Sequence, residues 1–517
     1  MIRLYDISLP QGGDLPSYIL NIFGSAVPFT VYRRSIDARR GKPLRFVYAV
    51  DIMPKDEHTA LRALKGMKYE IIPDGGYVCP VKRGAFPRPV VVGFGPAGMF
   101  AALLLAKAGA RPIVLERGKS VDERVKSVEL FWRTGVLDTE SNVQFGEGGA
   151  GSFSDGKLNT LVKDKNYRGR FVLSTFVSHG APEDIMYDAK PHIGTDLLRG
   201  CVKGIREEII SLGGEMVFGA RMTDIVTEQG RVSAVKYVKN GEETVIETDT
   251  VFLGIGHSAR DTFRMLADKV NMEQKPFSVG VRIEHPRRMI DTSQYREHAD
   301  ALPAASYKLS HQTSAGRGVY TFCMCPGGYV VNASSEENRL VTNGMSYRAR
   351  DGINSNSALL VGLTPADYGT GLFDGMMFQQ HLEEKAFALG GADWRAPCQT
   401  VGSFLGIKKE SASVTPTFSN GVREADMRKL FPSFITDALS EGLVSFGKKI
   451  NDFDMSGAVM TAAESRSTCP VRILRDENGV SSLAGLYPIG EGAGYAGGIM
   501  SAAMDGMKAV ESYCKME

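Results

Sequence analysis

Hydrophobic positions along the chain fall into runs whose spacing changes at glycines. Val90, Val91 and Val92 are consecutive and β-branched, the pattern of a strand buried in a parallel sheet. The apolar stretch Ala101 to Ala108 predicts a helix, with Gly109 as its C′ residue. Pro112 to Leu115 predicts a second strand. Upstream, Asp14 to Phe23 and Asp56 to Met67 read as helices, and Phe29 to Tyr32 as a strand. Leu44, Phe46, Tyr48 and Val50 alternate with Arg45, Val47, Ala49 and Asp51, as on a half-buried strand. Residues 119–144 are charged and predict a helix. Leu198, Cys201, Ile205, Ile209 and Leu212 share one face of a helix from Thr195 to Leu212. Thr195 or Asp196 caps it, and Gly213-Gly214 ends it.

Ala220 to Val226, Arg231 to Val238 and Glu243 to Glu247 predict a β-meander turning at Gly230 and at Asn240-Gly241. It leads to a buried strand at Thr250 to Gly254. From 270 to 455 the texture shifts to separated strands at Phe277 to Ile283, Gly318 to Cys323, Gly328 to Ala333 and Ser357 to Leu363, with a helix at Gly371 to Leu389. Ser482 to Pro488 is a final strand and Ile499 to Ser512 a final helix. Gly498, Ala502 and Gly506 give that helix a smooth face for close packing. The order predicts an α/β chain. A small α+β domain spans 1–87. A three-layer, Rossmann-like domain spans 88–269 and 456–517. A mostly antiparallel β substrate domain, 270–455, is inserted into it. The stretch from Lys82 to Pro89 reads as a linker.

Gly93, Gly95 and Gly98, with Pro96 and Ala97 between them, fit G-x-G-x-x-G between the first strand and its helix. Gly93 permits the tight turn, Gly95 lets a pyrophosphate approach the backbone, and Gly98 lets the helix pack on the sheet. Glu116, at the end of the second strand, offers its carboxylate to ribose hydroxyls. That acid favours FAD or NAD over NADP; Arg117 beside it is the residue that argues the other way. A second glycine-rich segment runs from Asn142 to Lys157. There Gly148, Gly149 and Gly151 permit close approach, and Ser152, Ser154 and Asp155 can orient a polar ring. Gly254 and Gly256 begin a G-x-G-x-x-A run. No βαβ unit follows, so it reads as the closing strand of the first dinucleotide domain.

Bulk properties narrow the function classes. A chain of 517 residues suggests roughly three domains. A net charge of +2 calls for neither a nucleic-acid nor a membrane partner. No apolar run is long enough to span a bilayer, and the N-terminus lacks the pattern of a signal peptide. Seven scattered cysteines read as reduced thiols, so a cytoplasmic protein is expected.

Several further segments go together: Asn142 to Leu158, Pro191 to Asp196, Gly254 to Asp261, Phe322 to Gly328, Glu464 to Arg472 and Tyr487 to Met504. With the glycine motif, they make the chain resemble the glutathione-reductase-type FAD fold. Within that fold it resembles the uncharacterised bacterial FAD-dependent dehydrogenases that carry an extra N-terminal domain. The resemblance implies FAD, with NAD(P)H as a transient electron donor. It places Gly490 and Glu491 at the ribityl chain, where the fold usually has Gly-Asp. It directs the helix beginning at Gly498 and Ile499 toward the flavin pyrimidine, and sets Met222 against adenine. His257 stands where aromatic hydroxylases of this fold carry Asp-Gly, which argues against a hydroxylase. The closing Gly-Gly-Ile is more like the geranylgeranyl reductases.

Catalytic candidates follow. His192, in a loop that often runs beside the flavin, suits proton transfer. Cys323 and Cys325 are i, i+2 on a predicted strand and so share a face. They can line the substrate cavity, form a redox pair, or bind a metal. A C-x-C pair alone is a poor zinc site, so no metal is expected. Cys469 reads as a buried inert thiol. Glu464, Arg466 and Arg472 suit either an acidic substrate or structural ion pairs. The arginines between 33 and 45 raise the alternative of an RNA-directed flavoprotein, against which the absence of a stacking platform counts. A flavin-binding protein without turnover is the other alternative. The main expectation is hydride exchange with an unknown small molecule, by reduction or dehydrogenation of a carbon–carbon bond.

Overall fold

The computed structural model describes residues 1–39, 41–73, 75–81, 87–407 and 413–515. Val90–Val92 is the middle strand of a five-stranded parallel sheet. Its order is Leu486–Pro488, Val251–Leu253, Val90–Val92, Ile113–Glu116, Glu215–Phe218. Successive side chains leave a strand on opposite faces. Val91, Val114 and Phe252 therefore pack among the helices Pro96–Lys107, Thr195–Ser211 and Ile499–Lys515. Val90, Val92 and Leu253 pack instead toward Ile225 and Val235 of the meander, which spans Arg221–Glu228, Arg231–Lys239 and Glu242–Glu247. The result is three layers with the sheet in the middle. The closing role of the strand before Gly254 follows from its pairing with both Val90–Val92 and Leu486–Pro488.

The long amphipathic helix starts differently from its sequence reading. Its N-cap is Gly194, and neither Thr195 nor Asp196 caps it. The Thr195 hydroxyl donates to the Ser152 carbonyl, and Asp196 accepts from the Arg348 backbone at 2.9 Å. Both side chains tie this helix to other segments instead.

A seven-stranded sheet forms the second core. Phe277–Pro286 and Asn354–Leu363 pair over ten residues at its centre, with Gly318–Cys325 and Val459–Glu464 beside them. Among the described residues of this sheet, only the pairing of Ala396–Thr400 with Val422–Glu424 is parallel. Val459–Glu464 lies in this sheet, although the sequence reading assigned 456–517 to the nucleotide-binding part. Its pairing with Phe277–Pro286 and Ala396–Thr400 decides its place, since Val-Met-Thr-Ala-Ala suits either sheet.

The N-terminal sheet is antiparallel, in the order Phe29–Asp37, Arg45–Ile52, Ile2–Pro10, Tyr69–Ile71. The sequence reading missed Ile2–Pro10. Ile2 and Leu4 are buried, as are Ile7 and Leu9, but a bulge with Asp6 at φ +60° shifts the phase between the pairs. Arg33 and Arg34 lie inside the strand Phe29–Asp37 rather than between strands. Of the expected linker, residues 82–86 fall outside the described residues. No helix among the described residues is long and apolar enough to cross a membrane.

Candidate functional site

Two glycine segments meet to form a cradle. Gly93 leaves its strand at φ +90°, which an L side chain resists. A Cβ on Gly98 would run into the Gly93 carbonyl oxygen, so the helix can sit on the strand only with glycine there. Gly95 is the N-cap of Pro96–Lys107 and no side chain caps that end. The first N–H groups of the helix, and its positive dipole end, are thus available to an anion. Opposite them, a Cβ on Gly149 would stand 2.9 Å from Gly95 Cα, and one on Gly151 3.4 Å from Ile499.

Sequence reasoning missed the residue that shapes the second segment. Arg124 is fully buried and donates to the carbonyls of Asn142, Val143, Gly146, Glu147 and Gly149 at 2.7–3.2 Å. Burial pulls its pKa down to about 9. Its only visible signal was an arginine in a predicted helix just before a glycine-rich loop.

Glu116 lies at the strand end, with Oε2 accepting from Phe94 N at 2.8 Å and Oε1 from Gly118 N and Gly146 N at 2.9 and 3.0 Å. Three backbone donors fix the carboxylate at the cavity wall. Arg117 also lines the cavity, but it is bidentate to Asp261 at 3.1 Å, paired with Glu140 at 3.0 Å, and stacked on Phe145. Its charge is spent within the protein, which removes the argument for a ribose phosphate. Met222, Gly254, Gly256, Glu491, Gly498, Ile499, Pro96, Ala97 and Ser154 line the same cavity. Gly98, Gly148, Ser152 and Gly490 do not face it. Ser152 is buried with its hydroxyl on the Glu147 carbonyl, where a Cβ on Gly148 would also press, and a Cβ on Gly490 would meet Ala97 at 2.6 Å. Those four permit close packing behind the cradle.

The cavity measures 1990 Å³ and runs from this cradle to the inserted sheet and the N-terminal domain. Pockets for drug-sized ligands span roughly 300–1,000 Å³, so the space exceeds one such ligand. The donor set fits FAD: uncapped helix N–H groups, a fixed carboxylate, and glycine walls at Gly95 and Gly497 with room beside them. His257 Nδ1, buried in the wall 3.7 Å from Glu491, has no hydrogen-bond partner among the described residues.

At the far end, the catalytic candidates separate. Cys323 lines the cavity; Cys325 is fully buried and does not. The shared face expected from i, i+2 spacing is lost, because a bulge between Phe322 and Cys325 puts Cys323 at φ +42°. Arg282 Nη1 donates to the Cys323 carbonyl at 2.9 Å, and Cys325 Sγ lies 3.3 Å from that oxygen. Both thiols are free, and among the described residues no cluster of metal ligands forms. The neighbouring Cys325 thiol, then the charges of Lys157 and Arg282, outweigh burial and hold the Cys323 thiol below the usual thiol range.

His192 is absent from the cavity wall. Its ring is held by Arg348, with Nε2 3.2 Å from the Arg348 carbonyl. Burial, then the charge of Arg350, lowers it to about 4, so the ring is neutral at pH 7. Cys469 is buried, and burial raises it to about 12. Glu464 pairs with Arg282 at 2.8 Å, Arg466 with Glu383 at 2.9 Å and Arg472 with Glu273 at 3.0 Å.

Residues 276–467 match a family described as "FAD-dependent protein, C-terminal domain-like". A Clostridium beijerinckii protein, described only as "Uncharacterized protein", is 46% identical over 491 residues, covering 93% of this chain and 91% of that one. The chain belongs to this FAD-dependent protein family. Its cofactor is FAD, and it is a flavoprotein with a Rossmann-type nucleotide fold. Solved structures that it resembles include the flavin-dependent brominase Bmp2, with 11% identity, 83% of this chain and 78% of that one covered, and a TM-score of 0.37. A variant of the E. coli quinol fumarate reductase FrdA gives 12% identity, 84% and 71% coverage, and a TM-score of 0.33. At such scores the likeness carries no argument.

Proposed function

We propose that this flavoprotein is an FAD-dependent oxidoreductase whose small-molecule substrate lies between the glycine cradle and the inserted sheet. One observation carries the reading: a single cavity is lined both by Gly93, Glu116, Met222 and Gly498 and by Thr321 to Met324 and Asn343. When bound, FAD supplies two-electron transfer through its ring, and the protein supplies orientation and protons. In this reading Gly95 and the helix start at Pro96 hold the phosphates, Glu116 the ribose, and the helix start at Ile499 faces the flavin. Cys323 is the proton carrier of the chamber: as a thiolate it accepts a proton when a C–H bond is oxidised, and as a thiol it returns one in reduction. Dehydrogenation or reduction of a carbon–carbon bond is the chemistry this favours. His192 has no part in it, being neutral and outside the wall.

The RNA-directed alternative needs one continuous positive face on the N-terminal domain. Arg34 is paired with Asp188 at 2.7 Å and Arg39 with Asp37 at 2.6 Å, which breaks that face up; Arg40 falls outside the described residues.

The test is anaerobic titration of the purified protein with NADH and with NADPH, following its flavin absorbance. Yellow protein that bleaches with a nicotinamide, and recovers its colour with an unsaturated acceptor, is the expected result. Colourless protein that takes up no FAD sinks the reading.

A further inference from the structure

We propose that His257 is a positioning residue for the cofactor: with a proton on Nδ1, it holds the Glu491 carboxylate in place for the flavin half of FAD. This rests on the FAD reading above, with Glu116 at the ribose and Glu491, in the turn before the Ile499 helix, on the flavin side. Glu491 lines the cavity, and its carboxylate accepts no hydrogen bond among the described residues. Its one partner within ion-pair distance there is His257, with Nδ1 3.7 Å from Oε1. The two side chains meet because their turns touch. A Cβ on Gly492 would stand 2.6 Å from the Gly256 carbonyl oxygen, so glycine lets one turn rest on the backbone of the other.

The hydrogen bonds around His257 fix which of its nitrogens carries a proton. The Gln379 amide nitrogen donates to the Ser465 carbonyl at 2.9 Å, and the amide oxygen accepts from Arg260 Nη2 at 3.3 Å. That orientation satisfies both neighbours; flipped, the amide would set oxygen against oxygen and N–H against N–H. His257 Nε2 lies 3.2 Å from the same Gln379 oxygen and must therefore donate to it. In a neutral ring Nδ1 is then a bare acceptor. It is buried, bonds to nothing among the described residues and faces a carboxylate oxygen. Two acceptors so placed repel, and a buried acceptor left unmet adds its own desolvation cost. With a proton on Nδ1 the same contact becomes an ion pair. Glu491 is the more open of the two, its side chain 33% exposed against 4% for the ring, so the carboxylate is the group that reaches a ligand. A free glutamate has several rotatable bonds, and ordering it weakens binding unless it is already held. Through Gln379, the same contacts tie the cofactor end of the chamber to the inserted helix Asp374–Gly390.

The experiment starts from the purified full-length holoprotein. The FAD dissociation constant is read from flavin fluorescence on dilution, and that of ADP, which lacks the flavin half, from its displacement of FAD. His257→Asn keeps an N–H near the Nδ1 position but does not reach Gln379. His257→Gln reaches Gln379 but puts no donor beside Glu491, and His257→Leu does neither. FAD should bind about tenfold more weakly in His257→Gln and His257→Leu, the scale of one charge-assisted contact. ADP should bind as in the parent, and His257→Asn should recover most of the loss. Unchanged FAD affinity in His257→Leu, equal weakening of FAD and ADP, or His257→Asn no tighter than His257→Gln overturns the proposal. The comparison of Asn with Gln decides even where His257→Leu does not fold. Glu491→Leu separates the two levels. If it weakens FAD while His257→Leu does not, only this inference fails; if it leaves FAD affinity unchanged, the place given to Glu491 fails beneath it.

Discussion

At the scale of single residues, the chamber is defined by what its polar groups are already bonded to. Cys323 is the reactive exception. An ordinary thiol titrates near about 8.5, so at neutral pH only a small part is thiolate. Here the neighbouring Cys325 thiol, then the charges of Lys157 and Arg282, lower it. The thiolate is the nucleophile, and lowering the pKa moves its appearance to lower pH. Alkylation of Cys323 by iodoacetamide should therefore rise through a midpoint below the ordinary thiol value. Lys157→Met should move that midpoint upward. A midpoint at the ordinary thiol value, read from peptide-resolved alkylation rates against pH, would remove Cys323 as proton carrier. Strand alternation alone did not reveal this residue's distinctness. Its sequence neighbour Cys325 looks equivalent, and only the bulge at φ +42° separates the two.

Among elements, the cradle helix Pro96–Lys107 packs tightly against the last helix, Ile499–Lys515. Gly506 lies where a Cβ would run into the Ala97 carbonyl oxygen. Adding even one methyl there forces the two helices apart, and overpacking of this kind costs about 1–3 kcal/mol. Gly506→Ala should lower stability by that amount in urea unfolding and weaken FAD binding, since Ala97 stands in the cradle wall. An unchanged flavin occupancy would mean that the helix crossing and the cradle are independent. This crossing was legible in advance, because small residues four apart on a helix write their own smooth face. The strand, glycines, helix, strand and acid from Val90 to Glu116 were legible for the same reason: each signal is local, and all fall within one βαβ unit. Arg124 was not legible, because its five carbonyl partners lie 18 to 25 residues away in an irregular loop. The surroundings of His192 were hidden for a related reason. A loop histidine looks catalytic until the backbone of Arg348, distant in sequence, claims its ring.

Across the whole molecule, the nucleotide sheet and the inserted sheet must hold a fixed separation for one chamber to serve both. A buried ionic network ties them. Arg260, at the start of the helix Arg260–Leu266, is bidentate to Glu383 at 2.8 and 2.9 Å. Glu383 lies on the inserted helix Asp374–Gly390 and also accepts from Arg466 and from the Ser465 hydroxyl. Glu336 pairs with both arginines. Burial by itself would raise the Glu383 pKa, but Arg260 and Arg466 outweigh it and hold the carboxyl well below the usual range. A depressed carboxylate stabilises the fold above its unfolded pKa, near about 4.3, and loses that contribution only as pH falls through the folded value. At neutral pH the contribution is therefore fully present. Glu383→Gln keeps the shape but leaves two guanidinium groups with Glu336 alone. Removing one partner of a buried pair costs about 3–5 kcal/mol. The variant should unfold at lower urea than the parent at pH 7, and the gap should narrow in strong acid, where the parent's Glu383 is also protonated. If the two parts are coupled through this network, saturating FAD should recover less stability in Glu383→Gln than in the parent, because the ligand then binds a nucleotide domain no longer held against its insert. Equal recovery would show that the network stabilises the interface without positioning the chamber.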